Sequence, residues 1–548
     1  MKIPNSDWER DLFFSDLIQK CSASRDDRMR TYTELRNYYL FGGSDDDGET
    51  PYNKVFPHID LLTSFLFSAD TTKFSIKLGA DVNKGEVPKV PVLSRAVHDE
   101  WLSSNADRVF SEGVQWSLVF NTMIVKLIVK GGQLQPFLVE PHCFGVLRED
   151  VPFLDRQEAF THHYHTTQSQ LTIDLANHPN KDSILSNLTG TVREMNTELS
   201  GLDRIIILNT QPNIQGNVNA NLTDRNRYIP RVQEELLDMV ELWVFDDDLN
   251  DYRTVTRCQN EVTIYDRKNI FIDGDHPFIQ ICPNPLYGYF WGSSEVDRLM
   301  GLQKWYNERI AQMRSLLNRQ VAPPMAYTGM GIQDEKLAAF QRAGGYLSMA
   351  GDPMAKVQEF KPEIPTDLFR EISMLNEMFS EQSGLQNLLQ GKGESGVRSG
   401  RQTSELARLG SARVKKKSLA VEDSLEKIAT LYLRFLQVYD KRQYVDQAGM
   451  MFAASQFTKS FVVRVDGHSN SPLFVEDHKA LAGELFEAHA IDRARLVDML
   501  DPPGKDEILN DLKGIEKKEA AAAQAKHQEE LAMAASKKGG QPPLQQVK

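Results

Sequence analysis

From Ser294 to the Pro323-Pro324 pair the sequence keeps one helical period without a break. Ser294-Glu295-Val296-Asp297 opens it as a capping box does, and Val296, Leu299, Tyr306, Ile310, Met313 and Leu317 fall on one face until the prolines stop it. About 27 residues at 1.5 Å each give a helix roughly 40 Å long. A still longer stretch runs from Thr403 to about Asp440, where Val414, Val421, Leu425, Ile428, Tyr432, Phe435 and Tyr439 lie near a heptad repeat. Gly410 predicts a kink in its weaker first part.

What separates these two helices is equally specific. Residues 325–362 read as a small α/β insert. It comprises a strand at Met325-Ala326-Tyr327, a helix from Asp334 to Arg342 closed by Gly344-Gly345, and strands near Tyr346–Met349 and Lys356–Phe360. A second helix starts at Thr366-Asp367, carries Leu368, Ile372, Leu375 and Phe379 at helical spacing, and ends at Gly384. Residues 385–402, with Gly391, Gly393, Gly396 and Gly400, are predicted to be a mobile loop. The order is helix, α/β insert, helix, loop, very long helix.

The first 290 residues have another texture, mixed α+β. Helical patterns cover 8–40, 58–68 and 92–120. Strand patterns cover 124–129, 136–139, 158–165, 204–208, 239–245, 252–258 and 261–265, and the Asn-, Gln- and Thr-rich segment 210–228 reads as a long loop. After the last long helix come a strand at Phe461–Val465, a helical part from Glu476, and an Ala-, Lys- and Glu-rich tail expected to be disordered.

The 548 residues suffice for three or four units, so one compact domain is not expected. With 41% apolar residues the chain is globular rather than disordered or collagen-like. Cys21, Cys143, Cys258 and Cys282 lie far apart without a C-x-x-C pair, which predicts free, mostly buried thiols and offers no zinc spacing. No signal-peptide pattern opens the sequence, and its most apolar run, Met123 to Val129, is too short to span a bilayer and contains Lys126. A soluble protein without a membrane partner is expected.

Motif by motif, chemistry fails to assemble. Gly391-Lys392-Gly393-Glu394-Ser395-Gly396 has the letters of a dinucleotide fingerprint but lacks the preceding strand of a βαβ unit. No P-loop, nucleophile elbow or H-E-x-x-H occurs. In the loop before Gly48, EF-hand counting puts Gly43 first and Lys54 where the bidentate Glu belongs, so it reads as a solvated turn. His163 and His165 would share a strand face as metal ligands could, but no carboxylate or thiol can be assigned to them, and a solvated strand is expected. Asp246-Asp247-Asp248 sits where an acidic hairpin turn belongs. The expectation is therefore no enzyme, no cofactor and no metal.

One charged segment stands out. Between Gly391 and Lys417 there are eight basic residues (Lys392, Arg398, Arg401, Arg408, Arg413, Lys415, Lys416, Lys417) against two acidic ones, in a chain of net charge −13. Either an anionic partner or a solvated face paired with a neighbour's acids accounts for it.

The helix, insert, helix, loop and long-helix order resembles the portal proteins of tailed bacteriophages. Gly292-Ser293-Ser294 followed by Leu299, Gln303 and Asn307 resembles the family's stem-helix entrance. Asn53, Phe56-Pro57, Asp60 and Phe65, leading into Phe74-Ser75-Ile76, resemble its first wing segment, and Trp116 through Lys126 with Glu140-Pro141 resembles the next. The resemblance covers roughly 10–440. It implies an α+β multidomain subunit: a wing over 1–290, stem helices at 291–320 and 363–384, a clip at 321–362 and a tunnel loop at 385–402. A spine helix at 403–440, wing strands at 441–470 and a helical crown with its tail at 471–548 complete it.

It further implies a ring, usually dodecameric, at one vertex of a virion that is assembled in the host cytoplasm. Double-stranded DNA would pass through it without sequence preference, and terminase, the major capsid or scaffolding protein and a tail adaptor would dock on it. Lys392, Arg398, Arg401, Lys415, Lys416 and Lys417 would then face DNA, and Gly292, Ser294, Gln303 and Asn307 would shape the stem entrance. The rival readings are an enzyme that processes nucleic acid and a non-portal connector or adaptor ring.

Overall fold

The computed structural model describes residues 1–43, 52–67, 72–80, 82, 84–176, 178–188, 236–258, 262–321, 323, 325–328, 356–359, 363, 365–383, 412–446, 449–465, 481–500, 508, 511–512 and 514–515. It divides into two units, 1–470 and 471–548. The described part of the second includes a helix at Arg493–Leu500.

The expected N-terminal helix is in fact two, α1 (Asp7–Ser22) and α2 (Arg25–Phe41), and α2 ends at Gly42 in the left-handed conformation. Next come α3 (Val55–Leu66) and β1 (Phe74–Leu78). The expected helix at 92–120 is likewise split, into α4 (Val90–Ser103) and α5 (Ala106–Phe120), because Asn105 turns the chain at φ +53°. Neither break carries a Gly or Pro, so the helical period runs through both.

Met123–Lys130 (β2) and Gln133–Val139 (β3) form a hairpin across Gly131-Gly132, both at positive φ. Phe278–Ile281 (β9) adds to the other edge of β2. The larger sheet is an antiparallel meander of β4 (Phe144–Val146), β5 (Ala159–Thr167), β6 (Leu236–Asp246), β7 (Asp251–Cys258) and β8 (Val262–Lys268). Asp246-Asp247-Asp248 does lie at the β6–β7 hairpin turn, with Asp246 opposite Asp251. One face of the meander packs on α1 through Phe14, Leu17, Ile18, Val240, Leu242 and Val255.

Three long helices organise the rest of this unit: α8 (Glu295–Val321), α9 (Thr366–Ser383) and α10 (Ala412–Tyr439). The numbers α6 and α7 belong to Gln168–Asp174 and Lys181–Leu188, which the strand and loop reading did not foresee. Helices α8 and α9 pack together, and the short strands β10 (Met325–Thr328) and β11 (Lys356–Glu359) pair antiparallel just beyond their outer ends. Helix α10 runs against α3, α4, β9 and β14 (Phe461–Val465), so Val421, Leu425, Ile428, Tyr432 and Phe435 are all buried as the heptad requires. Tyr439, at the end of that stripe, is instead partly exposed and donates to the Phe271 carbonyl at 2.5 Å. Strand β14 pairs with β1 across the whole unit, Phe74 opposite Val465. A hairpin of β12 (Gln443–Val445) and β13 (Met451–Ala453) lies between α10 and β14.

The predicted helix at 334–342, the strand at 346–349, the strand at 204–208, the loops at 210–228 and 385–402, the start of the long helix at 403–411 and the Gly410 kink lie outside the described residues, as do 44–50 before α3. The four cysteines are free; Cys21 and Cys258 are buried, while Cys143 and Cys282 are half-buried.

Candidate functional site

The residues singled out as a helix entrance run from the turn before α8 into its first half. Gly292 sits at φ +67°, and a Cβ there would lie 2.5 Å from Cys282 Sγ and 2.8 Å from the Asn284 carbonyl oxygen. Only glycine fits that turn. Two residues on, Ser294 Oγ accepts the Val296 and Asp297 amides at 3.0 and 3.2 Å and donates to the Val119 carbonyl at 2.7 Å. It thereby caps α8 and pins its start to the end of α5.

Glu295 follows, only 2% exposed. Its carboxylate takes Lys417 Nζ of α10 at 2.7 Å and Asn284 Nδ2 at 3.1 Å, with Arg298 at 3.5 Å and His58 Nε2 of α3 at 4.0 Å. Burial, and next to it Lys417, hold the His58 imidazole down to about 4 although Glu295 opposes them, so it is neutral at pH 7. Three helices meet on this one carboxylate. About two turns further along α8, the fully buried Gln303 accepts the Lys54 amide at 3.0 Å and donates to the Tyr52 carbonyl at 3.1 Å and to Asn307 Oδ1 at 2.7 Å. Asn307 Nδ2 in turn donates to the Gly42 carbonyl at 2.8 Å, at the end of α2. Asn53 reaches back to the Tyr39 carbonyl and accepts the Val55 and Phe56 amides that open α3. Gly292 and Ser294 thus hold the start of α8 against Asn284 and the end of α5, while Gln303 and Asn307, further along the helix, bond the segment that enters α3 and the end of α2.

Along α8 the packing changes. Val296, Leu299 and Tyr306 are buried, and Arg309 and Trp305 hold Glu371 of α9 at 2.8 and 3.1 Å. Leu375 and Phe379 complete the inner contact, Phe379 edge-on to Tyr306. Beyond it Leu317 and Val321 on α8 and Phe369 on α9 are exposed, Val321 by 85%, although Leu368 beside Phe369 is buried. Along the stripe read as one apolar face, Val296, Leu299 and Tyr306 are core, Ile310 and Met313 are half-buried and only Leu317 is exposed.

The basic segment also divides. Lys415 and Lys416 are exposed on α10, whereas Lys417, expected on the same open face, is buried in its pair with Glu295. A lysine run reads as a solvated face, and the helical turn put its third member into the core. Lys392, Arg398 and Arg401 lie outside the described residues.

The His162-His163-Tyr164-His165 strand is not solvated either. His162 lies beside Glu241, whose carboxylate is bonded by Lys126 Nζ and, at 2.6 Å, by Trp243 Nε1. Burial would raise the Glu241 carboxyl, but Lys126 and His162 hold it well below the usual range. His163 meets Ser22 Oγ at 3.0 Å and Arg25 at 3.4 Å, and His165 faces Asp238 at 2.8 Å. These buried polar partners come from strands and helices far away in sequence, so no local spacing could signal them. Among the described residues no helix is long and apolar enough to cross a membrane.

No protein-family model and no curated protein sequence matches this chain. Among solved structures it is similar to a chain of the virion of a native gene transfer agent particle, at 11% identity and a TM-score of 0.42, with 86% of this chain and 93% of that one covered. It is also similar to a chain from the neck of an empty gene transfer agent particle computed with C6 symmetry, at 11% identity and a TM-score of 0.37, with 86% and 94% covered.

Proposed function

We propose that this chain is a portal-type subunit that closes into a ring at one vertex of a phage-like particle, forming the channel through which double-stranded DNA enters and leaves. The observation that carries the reading is the helix–hairpin–helix unit. Helix α8 is anchored at its root by a capped start, a buried ion pair and the Gln303–Asn307 bonds, yet it and α9 expose Leu317, Val321 and Phe369 towards their outer ends, next to a two-stranded hairpin. An anchored pair with exposed apolar side chains near its outer ends fits packing against the same pair of the next subunit.

The role is one of structure and passage, with no reaction of its own. A net charge of −13 suits a lumen that does not hold phosphate tightly, and Lys392, Arg398 and Arg401 would supply brief contacts with passing DNA. Terminase and tail adaptor would dock on the clip. Imaging of the purified full chain down its symmetry axis tests the ring: closed particles with a central channel are expected, and a monomer at every concentration, or an open filament, refutes it. Replacing Lys392, Arg398 and Arg401 by Ala tests the DNA role: rings should still form while packaging or genome retention falls. Unchanged packaging would remove that role.

A further inference from the structure

We propose that Glu140, His142 and Cys143 form a binding site for one divalent transition-metal ion of the zinc class. The three side chains sit on the short turn Pro141–Cys143 and the residue before it, against α2 and beside β4 and β5. One ligand atom from each lies within 4.8 Å of the other two. His142 Nε2 is 3.2 Å from Glu140 Oε2, close to the edge of about 3.3 Å in a tetrahedron whose metal bonds are about 2.0–2.1 Å.

The histidine supplies the independent sign of a ligand. Its side chain is fully buried, yet neither ring nitrogen has a hydrogen-bond partner, the Glu140 contact lacking hydrogen-bond geometry. Buried polar groups are otherwise almost always bonded, so an imidazole that faces a thiol and a carboxylate but bonds neither is arranged for coordination. The scaffold is set in advance: the Cys143 amide donates to the Glu140 carbonyl at 2.8 Å and closes the turn, while Arg25 Nε donates to the His142 carbonyl at 2.9 Å from outside.

The donor set chooses the metal. Sulfur and imidazole nitrogen disfavour calcium and magnesium, which take oxygen, and suit zinc with one further position left for water. On binding, the metal replaces the Cys143 thiol proton, which leaves to solvent. The site was invisible to a search for C-x-x-C or for a partner to His163 and His165, because its three donors are packed into four consecutive residues.

Cobalt(II) is the probe. Titrated into the full chain after dialysis against a chelator, it should saturate at one equivalent per chain, give a thiolate-to-cobalt absorption band in the near ultraviolet, and be displaced by zinc. Cys143→Ser should abolish the band. Glu140→Gln, at a side chain that is 40% exposed and therefore tolerant, should weaken zinc binding by at least about tenfold with an unchanged circular dichroism spectrum. The site is refuted if the folded parent gives no band, if Cys143→Ser keeps it through Cys21, Cys258 or Cys282, or if Glu140→Gln binds zinc as the parent does.

Discussion

Glu295 and Lys417 set the energetics of the helix-pair root at the scale of single residues. Both are nearly removed from water, so deleting one strands the other as an uncompensated buried charge, which costs about 3–5 kcal/mol. Arg298, 3.5 Å from the carboxylate but partly exposed, offers weak compensation, so Lys417→Ala should lie near the low end, about 3 kcal/mol, by urea unfolding midpoints. The double variant Lys417→Met, Glu295→Gln should recover most of the loss, because neither charge then remains. Independent, additive losses in that cycle would mean the pair does not interact. His162 makes a second prediction. Burial, with Lys126 beside it, lowers its pKa from the ordinary 6.5 to about 4, so between those values the unfolded chain takes up a proton that the folded chain refuses. This stability is complete above pH 6.5 and is lost as pH falls towards 4, at up to about 1.4 kcal/mol per pH unit. The folded state's thermal midpoint should therefore drop less between pH 7 and pH 4.5 in His162→Asn than in the parent. Equal drops in both proteins would assign the acid sensitivity elsewhere.

Among the elements, α8 depends on the turn that launches it. Gly292→Ala forces a non-glycine residue into the left-handed region, at about 1–2 kcal/mol, and drives a methyl group into the Asn284 backbone and Cys282. Guanidinium unfolding should show a loss larger than the left-handed term alone, and a loss under 1 kcal/mol would mean the turn relaxes freely. The long helices were legible in the sequence because a stripe repeating every three or four residues is a local signal, and Val421, Leu425, Ile428 and Tyr432 are buried where it put them. The sequence also placed Ser294 at the start of a helix, and it caps α8 there. What Gln303 binds was not legible, since the Tyr52 carbonyl and Lys54 amide lie some 250 residues away in sequence. The same limit hid the pairing of β1 with β14 and the four-residue strand β9, too short to show alternation. The breaks at Ala23-Ser24 and at Ser104-Asn105 were hidden for another reason: in each, an ordinary polar residue ends a helix whose apolar period continues in the next.

For the whole molecule, the proposed ring turns on the outer part of the α8–α9 pair. Leu317, Val321 and Phe369 are exposed in the isolated subunit, and their neighbours on both helices are mostly polar or charged, so these side chains contribute little to the core of the single chain. In the proposed ring, these side chains on every subunit would meet the next one head to tail, and each copy would be buried by rotation about a single axis. Burying these side chains returns about 25 cal/mol per Å² at every interface, whereas a carboxylate placed among them must be desolvated without a partner. Val321→Glu together with Phe369→Glu should therefore leave the subunit's circular dichroism spectrum and unfolding midpoint close to those of the unassembled parent, but should stop it from closing into rings. Sedimentation velocity distinguishes the outcomes. A folded, monomeric double variant is the expected result; rings as stable as the parent's would show that the outer helices do not carry assembly, and loss of the fold itself would show that Val321 and Phe369 belong to the subunit's own core.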